Sequence, residues 1–287
     1  WFKDRGKTPS AVIDLAGIAE LHGIRETADG IELGAMTTLT EIERNPVIQE
    51  RFGLIAEAAR MVASPQIRNS GTVGGNVLQD TRCWYYRFGL ACYRAGGNTC
   101  YASAPEAMNR EHAIFGASRC VAVTPSDPAP ALVALDAEMV IRSSRGERVV
   151  SAEDFFMTPA VDIRRMTVLD PEDLLTMIRI PDTWAGANFY FEKVADRGSW
   201  DFPLVNVAAA LRLDGDRITD ARIVVGGVQA IPRRLTAVEN LVRGRTQNEE
   251  TAALAGAAAV EGAEPLRYNH FKVPLMENLV KRAVRDA

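Results

Sequence analysis

The sequence has little of what would mark a specialised class of protein. It contains 4 cysteines and 3 histidines in 287 residues, 7% of the residues are aromatic, and 37 acidic residues stand against 33 basic ones. No apolar run reaches the roughly 18 residues of a membrane span, since Ala129–Leu135 ends at Asp136. A basic cluster of the kind that binds nucleic acid is also missing. We therefore expect a soluble protein of the cytoplasm, with export alongside a partner as the alternative, and no nucleic-acid partner.

Apolar periodicity and turn residues predict two parts of different architecture. The pair Thr38 and Glu41 has the spacing of a capping box, and Asp214-Gly215-Asp216 predicts a hairpin turn. A boundary near Thr183–Ala187 separates an α/β first part from an α+β second part, which gives domains of residues 1–183 and 184–287. The predicted strands are Val12–Leu15, which we expect to be buried, Ile31–Ala35, Glu138–Arg142, Leu174–Pro181, Ala187–Val194, Val205–Leu213 and Ile218–Gly226, and the predicted helices are Leu54–Val62, Ala131–Leu135, Ala237–Val242, Glu249–Ala259 and Pro274–Val284.

A glycine-rich stretch follows the helix predicted at Leu54–Val62. Its residues Gly71–Asn76 include three glycines, and glycines let peptide N–H groups approach an anion without an intervening Cβ. The stretch has neither the Gly-Lys-Ser/Thr ending of a Walker loop nor the strand–GxGxxG–helix order of a Rossmann turn. A tight structural turn therefore remains the alternative to a cofactor loop.

The stretch Ile67–Asn76 resembles a flavin-contacting loop of the FAD-binding subunits of the xanthine dehydrogenase/molybdenum hydroxylase family. Further resemblances follow in the same order along essentially the whole chain, at Pro125–Leu132, Leu174–Pro181, Phe191–Val194 with Asp201–Val205, and Tyr268–Leu275. The resemblance implies an α+β fold in which an FAD-binding domain of the p-cresol methylhydroxylase/vanillyl-alcohol oxidase type precedes a CO-dehydrogenase-flavoprotein-type domain, a small antiparallel sheet with helices.

The resemblance also implies a set of cofactor contacts. Asp127 would bind FAD hydroxyl groups, and Leu175 and Lys193 would lie near the isoalloxazine ring, where a lysine can stabilise a reduced, anionic flavin. By their residue types alone, Asp127 could instead cap a helix and Lys193 could be a surface charge. The glycine-rich loop would supply the remaining FAD contacts through Ile67, Arg68, Asn69, Gly71, Thr72, Gly74, Gly75 and Asn76.

One part of the family pattern has no counterpart in this sequence. The family's first FAD loop, of the type Gly-Gly-Thr-Asp-Leu, precedes the strand that Ala11–Leu15 matches, but Trp1–Ser10 contains nothing similar. Because the chain starts with Trp1 rather than methionine, we expect that the N-terminal part of the domain, with this loop, is missing from the sequence. The alternative is a subunit that binds FAD weakly or not at all.

The four cysteines share one short region. Cys83, Cys92, Cys100 and Cys120 all lie in the segment between Asn76 and Ser126. Paired Cys-x2-4-Cys knuckles, which zinc fingers and ribbons use, are missing, and disulfides are rare in the cytoplasm. Four thiolates from one loop can close around a [4Fe-4S] cluster. Zinc and disulfides remain the alternatives to that cluster.

This segment, at about residues 77–125, is an insertion relative to most of the family. It resembles the insertion of the 4-hydroxybenzoyl-CoA reductase flavin subunit and of bacterial aldehyde oxidoreductases, through Gln79–Cys83 and Asn109–Cys120. That resemblance implies that the four cysteines hold an additional [4Fe-4S] cluster. Three neighbouring arginines could offset the cluster charge, and the histidine of the segment is expected to be structural rather than a ligand: Arg82, Arg94, Arg119 and His112.

The predicted function is electron transfer within an oxidoreductase complex. The sequence has no Ser/His/Asp or Cys/His nucleophilic set, and its histidines are scattered. The resemblance implies a large subunit with molybdenum cofactor, which carries out the substrate chemistry, and a small subunit with [2Fe-2S] clusters, arranged as a dimer of heterotrimers. A ferredoxin-like protein would be the outside electron partner. The alternatives are a cluster-bearing scaffold subunit without a functional flavin and a self-contained flavin oxidase.

Overall fold

The computed structural model describes residues 8–287, which form two antiparallel sheets flanked by helices. In this range the strands are β1 Ile24–Thr27, β2 Gly30–Gly34, β3 Glu138–Ser143, β4 Gly146–Ser151, β5 Leu174–Pro181, β6 Asn188–Val194, β7 Val205–Asp214, β8 Arg217–Gly226 and β9 Arg233–Arg234. The helices are α1 Leu39–Arg44, α2 Pro46–Arg51, α3 Gly53–Arg60, α4 Pro65–Arg68, α5 Val73–Val77, α6 Trp84–Arg87, α7 Pro128–Ala134, α8 Ala152–Phe155, α9 Thr236–Val242, α10 Glu249–Ala259 and α11 Lys272–Asp286. Short 3-10 turns occupy Ala19–Leu21, Tyr93–Ala95, Tyr101–Ser103 and Asp182–Trp184.

The first sheet has five strands in the order β1-β2-β5-β3-β4. Each neighbouring pair is antiparallel, and β5 lies in the centre, where its Ile178 pairs with Leu33 on one side and Met139 on the other. The prediction of an α/β first part was therefore wrong, because an α/β domain requires parallel strands joined by crossover helices. The α+β class that was predicted for the whole chain is confirmed.

The second sheet, β6-β7-β8-β9, lies between two layers of helices and is buried on both faces. Ala208, Ala210 and Val224 belong to the hydrophobic core that contains α3 and α7, whereas Val207 and Ala209 belong to the core under α9–α11. Successive residues of a strand point to opposite faces, so a strand covered on both sides has to be apolar along its length. This explains the nearly unbroken apolar sequence of β7.

A network of polar side chains joins the two parts of the chain. The carboxylate of Asp136, after α7, accepts hydrogen bonds from the Trp184 indole at 2.8 Å and from the Arg222 guanidinium at 2.9 Å. Trp184 is 2% exposed, and Arg222 lies on β8 of the second sheet. The side chains near the predicted boundary therefore pack into an interface and do not form a flexible linker.

The cysteine-containing segment is attached to the C-terminal part of the chain by fully buried polar side chains. Asn269 donates from Nδ2 to the carbonyl oxygens of His112 at 3.0 Å and Ala113 at 3.2 Å. Lys272 donates from Nζ to the carbonyl oxygens of Glu111 at 3.0 Å and Gly227 at 2.6 Å, and burial lowers the pKa of its ammonium group to about 7. The irregular segment thus has a fixed position on the second sheet.

Most predicted elements are present, and one is not. The capping box of Thr38 and Glu41 forms both of its hydrogen bonds, and the hairpin turn after Asp214 joins β7 to β8. The predicted strand Val12–Leu15 was wrong, because these residues form no strand, and Val12 and Ile13 are 71% and 82% exposed. Apolar side chains alone do not make a strand where no neighbouring strand supplies backbone partners. Residues Trp1–Lys7, on which part of the first-loop prediction rests, lie outside the described range.

Among residues 8–287, none of the helices combines the length and the apolar character that a bilayer crossing requires. The longest helix, α11, contains 15 residues and carries several charged side chains. Its apolar residues Met276, Leu279, Val280 and Ala283 are buried against the second sheet and α10. The amphipathic pattern of α11 is accounted for by this packing.

Replacing Asn269 by leucine is predicted to destabilise the protein by about 2–4 kcal/mol. The change removes three hydrogen bonds to buried backbone groups, including the one that Asn269 Oδ1 accepts from Leu266 N at 2.6 Å, and leaves those groups unsatisfied. Urea unfolding measures the loss. The control is Asn278→Leu on the exposed face of α11, where we expect a change within about 0.5 kcal/mol. Equal effects of the two substitutions would contradict the anchoring role of Asn269.

Candidate functional site

The glycine-rich loop connects α4 to α5, and its peptide N–H groups are largely engaged within the protein. Gly71 N donates to Ile67 O, Val73 N to Thr37 O and Gly74 N to Ala35 O. Gly75 N donates to Thr72 Oγ1 at 3.1 Å, which caps the start of α5. The expectation that free peptide donors cradle an anion therefore does not describe these amides, and what the loop offers to a ligand is its surface and its side chains.

The glycines of the loop differ in how much space surrounds them. A Cβ on Gly74 would lie 2.7 Å from Ala35 O and 2.9 Å from Ala35 Cβ, and a Cβ on Gly71 would lie 2.9 Å from Ile67 O. A Cβ on Gly75 would meet only Thr72 Oγ1, at 3.1 Å, and Gly75 is exposed. Packing inside the protein thus accounts for Gly71 and Gly74, whereas Gly75 is the glycine that keeps the outer surface of the loop free of a side chain.

Asp127 and Lys193 form a buried ion pair behind the loop. Lys193 Nζ lies 2.6 Å from Asp127 Oδ2 and also donates to Met61 O at 3.0 Å and Asp201 O at 2.7 Å. Asn206 Nδ2 donates to the other carboxylate oxygen at 2.9 Å. Complete burial raises the pKa of Asp127 to about 6, although the nearby ammonium group acts in the opposite direction.

This geometry excludes both alternative interpretations, a helix cap for Asp127 and a solvated surface charge for Lys193. Asp127 stands at the N-cap position of α7, but its side chain makes no capping hydrogen bond, and Ser126 Oγ accepts from Ala129 N instead. The side chain of Lys193 is 5% exposed, so it is not a solvated surface charge. Ser126 Oγ also donates to Asn76 Oδ1 at 2.6 Å and thereby connects the pair's surroundings to the glycine-rich loop.

The loop between β6 and β7 covers this region and has a strained backbone. Trp200, in that loop, and Ala63, before α4, both have left-handed backbone conformations, with φ of 59° and 42°. Trp200 N donates to Ala63 O at 2.8 Å, so the two strained residues hold each other. Such conformations cost on the order of 1–3 kcal/mol each and are concentrated at ligand sites.

A cavity of about 330 Å³ lies between the glycine-rich loop and the β6–β7 loop. Of the predicted cofactor residues, Ile67, Asn76 and Asp127 line it, and Lys193 lines the adjoining cavity under Trp200. The other residues of the wall come from the two loops and the start of the cysteine segment: Val62, Ala63, Gln79, Arg82, Pro125, Trp200, Asp201 and Phe202.

Three predicted cofactor residues have other surroundings. Arg68 forms an ion pair with Glu43 at 2.9 Å, and Asn69 Oδ1 accepts a hydrogen bond from Thr40 Oγ1 at 2.7 Å. Leu175 is 2% exposed and packs in the hydrophobic core on β5. These contacts give Arg68, Asn69 and Leu175 structural roles that do not depend on a ligand.

The four cysteines are free thiols gathered on one side of the segment. Cys92 is buried and the other three are partly buried. Burial raises the pKa of the Cys83 thiol to about 11, and repulsion from Cys120 and Cys100 adds to this rise. Burial likewise raises the pKa of Cys120, with additions from Cys100 and Cys92. Cys83 and Cys120 are therefore each close enough to Cys100 to interact with it electrostatically.

The arrangement of the thiols does not suit a single metal ion. Within the described part of the chain, no group of three or more His, Cys, Asp or Glu side chains is positioned to hold one. Four thiolates around a zinc ion would have to approach to about 3.8 Å of one another, because Zn–S bonds are about 2.3 Å long. The described side chains therefore form no ready-made metal site, and the cluster at the four cysteines stays a prediction.

The buried side chain of His112 contacts one of the thiols. It is 3% exposed, and its Nε2 lies 3.2 Å from Cys83 Sγ. Burial and the charge of Lys272 lower the pKa of its imidazole to about 4, so the ring is neutral at pH 7. The contact fits the structural, hydrogen-bonding role that was expected of His112.

Three residues that sequence reasoning missed contribute to the region. Asn206 orients Asp127 from β7, while Trp200 and Phe202 form the outer wall of the cavity. The only signal in the sequence was the position of Trp200 and Phe202 on either side of Asp201, within a segment that had already been singled out. Asn206 could have been noticed as a polar residue in an otherwise apolar strand.

Neutralising one member of the buried pair is predicted to be more harmful than removing both charges. Asp127→Asn leaves the Lys193 ammonium group buried without a counter-charge, which costs about 3–5 kcal/mol in the free energy of unfolding. The double variant Asp127→Asn, Lys193→Met is expected to lose less than the single one. Urea unfolding of both variants measures the difference, and a double variant at least as unstable as Asp127→Asn alone would contradict a coupled pair.

Comparisons with known proteins identify both parts of the chain. The family described as the FAD binding domain in molybdopterin dehydrogenase matches residues 1–183, and the CO dehydrogenase flavoprotein C-terminal domain matches residues 190–287. The aldehyde oxidoreductase FAD-binding subunit PaoB of Escherichia coli (strain K12) is 32% identical over 98% of this chain and 86% of its own length. The carbon monoxide dehydrogenase medium chain of Hydrogenophaga pseudoflava is 28% identical over 99% and 84%.

Solved structures agree with these matches. A carbon monoxide dehydrogenase from Hydrogenophaga pseudoflava that lacks the Mo-pyranopterin moiety of its molybdenum cofactor aligns with a TM-score of 0.76 and 27% identity, over 99% of this chain and 84% of that one. Quinoline 2-oxidoreductase from Pseudomonas putida 86 aligns with a TM-score of 0.73 and 26% identity, over 98% and 83%. The predicted fold, an FAD-binding domain followed by a domain of the CO-dehydrogenase flavoprotein type, is confirmed.

Proposed function

Because the chain belongs to the FAD-binding medium subunits of the xanthine dehydrogenase/CO dehydrogenase family, we propose that it passes electrons through FAD and an additional [4Fe-4S] cluster. It is an oxidoreductase subunit of a molybdenum hydroxylase-type complex. The observation that carries the proposal is the position of Cys83, one of the four free cysteines, in a small cavity that shares part of its wall with the cavity of the glycine-rich loop. Residues 1–183 are the FAD-binding domain with the insertion at about 77–125, and residues 184–287 are the C-terminal domain.

The FAD site of the proposal is the cavity under Trp200 and Phe202. Its support is the strained backbone at Trp200 and Ala63, the buried Asp127–Lys193 pair beside it, and the open surface at Gly75. FAD would supply reversible electron transfer there, and the protein would bind and orient it. The proposed contacts are those that the family resemblance implies: Ile67, Arg68, Asn69, Gly71, Thr72, Gly74, Gly75, Asn76, Asp127, Leu175 and Lys193.

The residues of this proposed set would contribute in three ways. Gly75, Asn76 and Ile67 are at the surface or the cavity and can touch the cofactor directly. Asp127 and Lys193 already satisfy one another, so they would act through the shape and charge of the wall. Arg68, Asn69 and Leu175 would contribute by fixing the loop and the sheet behind it.

The cluster site of the proposal consists of Cys83, Cys92, Cys100 and Cys120. Soft thiolate ligands suit iron–sulfur clusters, and Cys83 and Cys120 both lie close enough to Cys100 to interact with it electrostatically. Closeness to the 4-hydroxybenzoyl-CoA reductase and aldehyde oxidoreductase branch is part of this proposal. The relative PaoB is itself a subunit of an aldehyde oxidoreductase.

The proposed assembly is a dimer of heterotrimers. The relatives named medium chains belong to multisubunit enzymes, and the proposed partners are a large subunit with molybdenum cofactor, which selects the substrate, and a small subunit with [2Fe-2S] clusters. The C-terminal domain from about Ala187 is proposed to supply part of the contact. A ferredoxin-like protein is the proposed outside electron partner.

Gly75→Val is predicted to abolish FAD retention and leave the fold intact. The added side chain projects from the exposed surface of the loop, where only Thr72 Oγ1 has to move. The matched control is Gly74→Val, in which the added atoms collide with Ala35 and should lower the unfolding temperature itself. Flavin absorbance per protein and thermal unfolding separate the two effects. A Gly75→Val protein that keeps one FAD per chain would show that the loop is not the FAD site.

Iron and sulfide analysis tests the cluster directly. The complex with the wild-type chain is expected to contain about four more iron and four more sulfide per chain than the complex in which Cys83, Cys92, Cys100 and Cys120 are all replaced by alanine. Comparing the two complexes cancels the iron of the partner subunits. Zinc in place of iron, or two disulfides in the wild-type chain, would refute the cluster.

A further inference from the structure

The thiol site and the proposed FAD site share one wall. A small cavity of about 50 Å³ contains Cys83 and His112 in its lining, and the cavity of about 330 Å³ contains Asn76 and Asp127. Four residues line both of them: Arg82, Pro125, Asp201 and Phe202. A charged side chain in this wall can act electrostatically on a group in either cavity.

Arg82 is the positive charge in this wall. Its Nη2 donates to Gln79 Oε1 at 3.0 Å, and its guanidinium group lies 4.6 Å from the centre of the Phe202 ring. The side chain is partly buried, and its Nε has no hydrogen-bond partner among residues 8–287. Cation–π stacking on Phe202 therefore holds the group in place while part of its donor capacity remains unused.

Three other arginines of the segment have their charge compensated or exposed. Arg94 donates to Asp80 at 2.5 Å, and Arg110 pairs with Asp196 at 2.6 Å. Arg119 immediately precedes Cys120, as Arg82 precedes Cys83, but it is exposed to solvent. Within the described range, Arg82 has no carboxylate within ion-pair distance, so no salt bridge compensates its partly buried charge.

We infer that Arg82, in the shared wall, sets the electrostatic potential of both redox sites. This inference rests on the proposed function, since it requires FAD and a cluster on the two sides. Reduction adds negative charge to either cofactor, and a nearby cation in a poorly solvated wall stabilises the reduced form of each. When one electron moves from the cluster to FAD, or back, Arg82 stabilises the reduced form of whichever cofactor holds it. No bond is made or broken in this step.

The test is a reductive titration of the purified complex, with EPR reporting the cluster and visible absorbance reporting FAD. Arg82→Gln removes the charge and keeps an amide near Gln79. At a given potential, the ratio of reduced to oxidised form is expected to fall about tenfold for both cofactors. For a one-electron step this lowers the reduction potential by about 59 mV. Arg82→Lys keeps the charge and is expected to change each ratio by less than about threefold.

The matched control is Arg119→Gln, which changes the same residue type at the equivalent position before a cysteine. Solvent and salt screen an exposed charge, so both reduction potentials are expected to stay at their wild-type values. If Arg119→Gln shifts them as much as Arg82→Gln does, the effect is one of overall charge and the inference is wrong. It is also wrong if Arg82→Gln, with full iron and FAD content, leaves either potential unchanged.

A second variant decides the matter if Arg82→Gln does not retain both cofactors. Phe202→Leu removes the ring that fixes the guanidinium group and leaves all charges in the chain. Both reduction potentials are then expected to fall by a smaller amount, which corresponds to about a threefold change in the ratio of reduced to oxidised form. Unchanged potentials would overturn the inference. Iron, sulfide and FAD are first counted in the wild-type complex, so a wild-type protein without them refutes the proposed function rather than the role of Arg82 alone.

Discussion

The buried ion pair of Asp127 and Lys193 is the constraint on which the rest of the site depends. Lys193 on β6 reaches Met61 at the end of α3, Asp127 before α7 and Asp201 in the β6–β7 loop, so one ammonium group fixes three separate parts of the chain. A buried charge is tolerated only if its partners stay in place. The glycine-rich loop, the covering loop and the second sheet are therefore held in one arrangement, and the cavity between them is a consequence of it.

A second set of buried polar groups fixes the position of the cysteine segment, as the ion pair fixes the walls of the cavity. Residues 77–125 have little regular structure, and four cysteines on such a segment would not converge without outside support. Asn269 and Lys272, both fully buried, hold the backbone at Glu111–Ala113 against the second sheet, close to the imidazole that contacts Cys83. The C-terminal part of this flavoprotein subunit thus fixes the backbone of a segment that contains all four cysteines.

The fold was largely predictable because its signals are local, whereas the site was only partly so. Apolar runs bounded by turn residues predicted β5 and β7, and the capping box predicted the start of α1, since each signal depends on residues close in sequence. The strand predicted at Val12–Leu15 does not form, because no strand among residues 8–287 pairs with it. The sequence identified Asp127 and Lys193 through their family resemblance, but their mutual pairing, the engaged amides of the loop and the Arg82–Phe202 contact arise between distant segments and required the structure.

The central claim is that one chain carries FAD and a four-iron cluster on the two sides of a shared wall. X-ray diffraction from crystals of the complete complex, collected above and below the iron absorption edge, tests it most directly. The account predicts an anomalous peak of four iron atoms enclosed by Cys83, Cys92, Cys100 and Cys120, and FAD density in the cavity beside Asn76, with Arg82 between them. An iron-free cysteine site, a peak at the zinc edge instead, or flavin density elsewhere would contradict it.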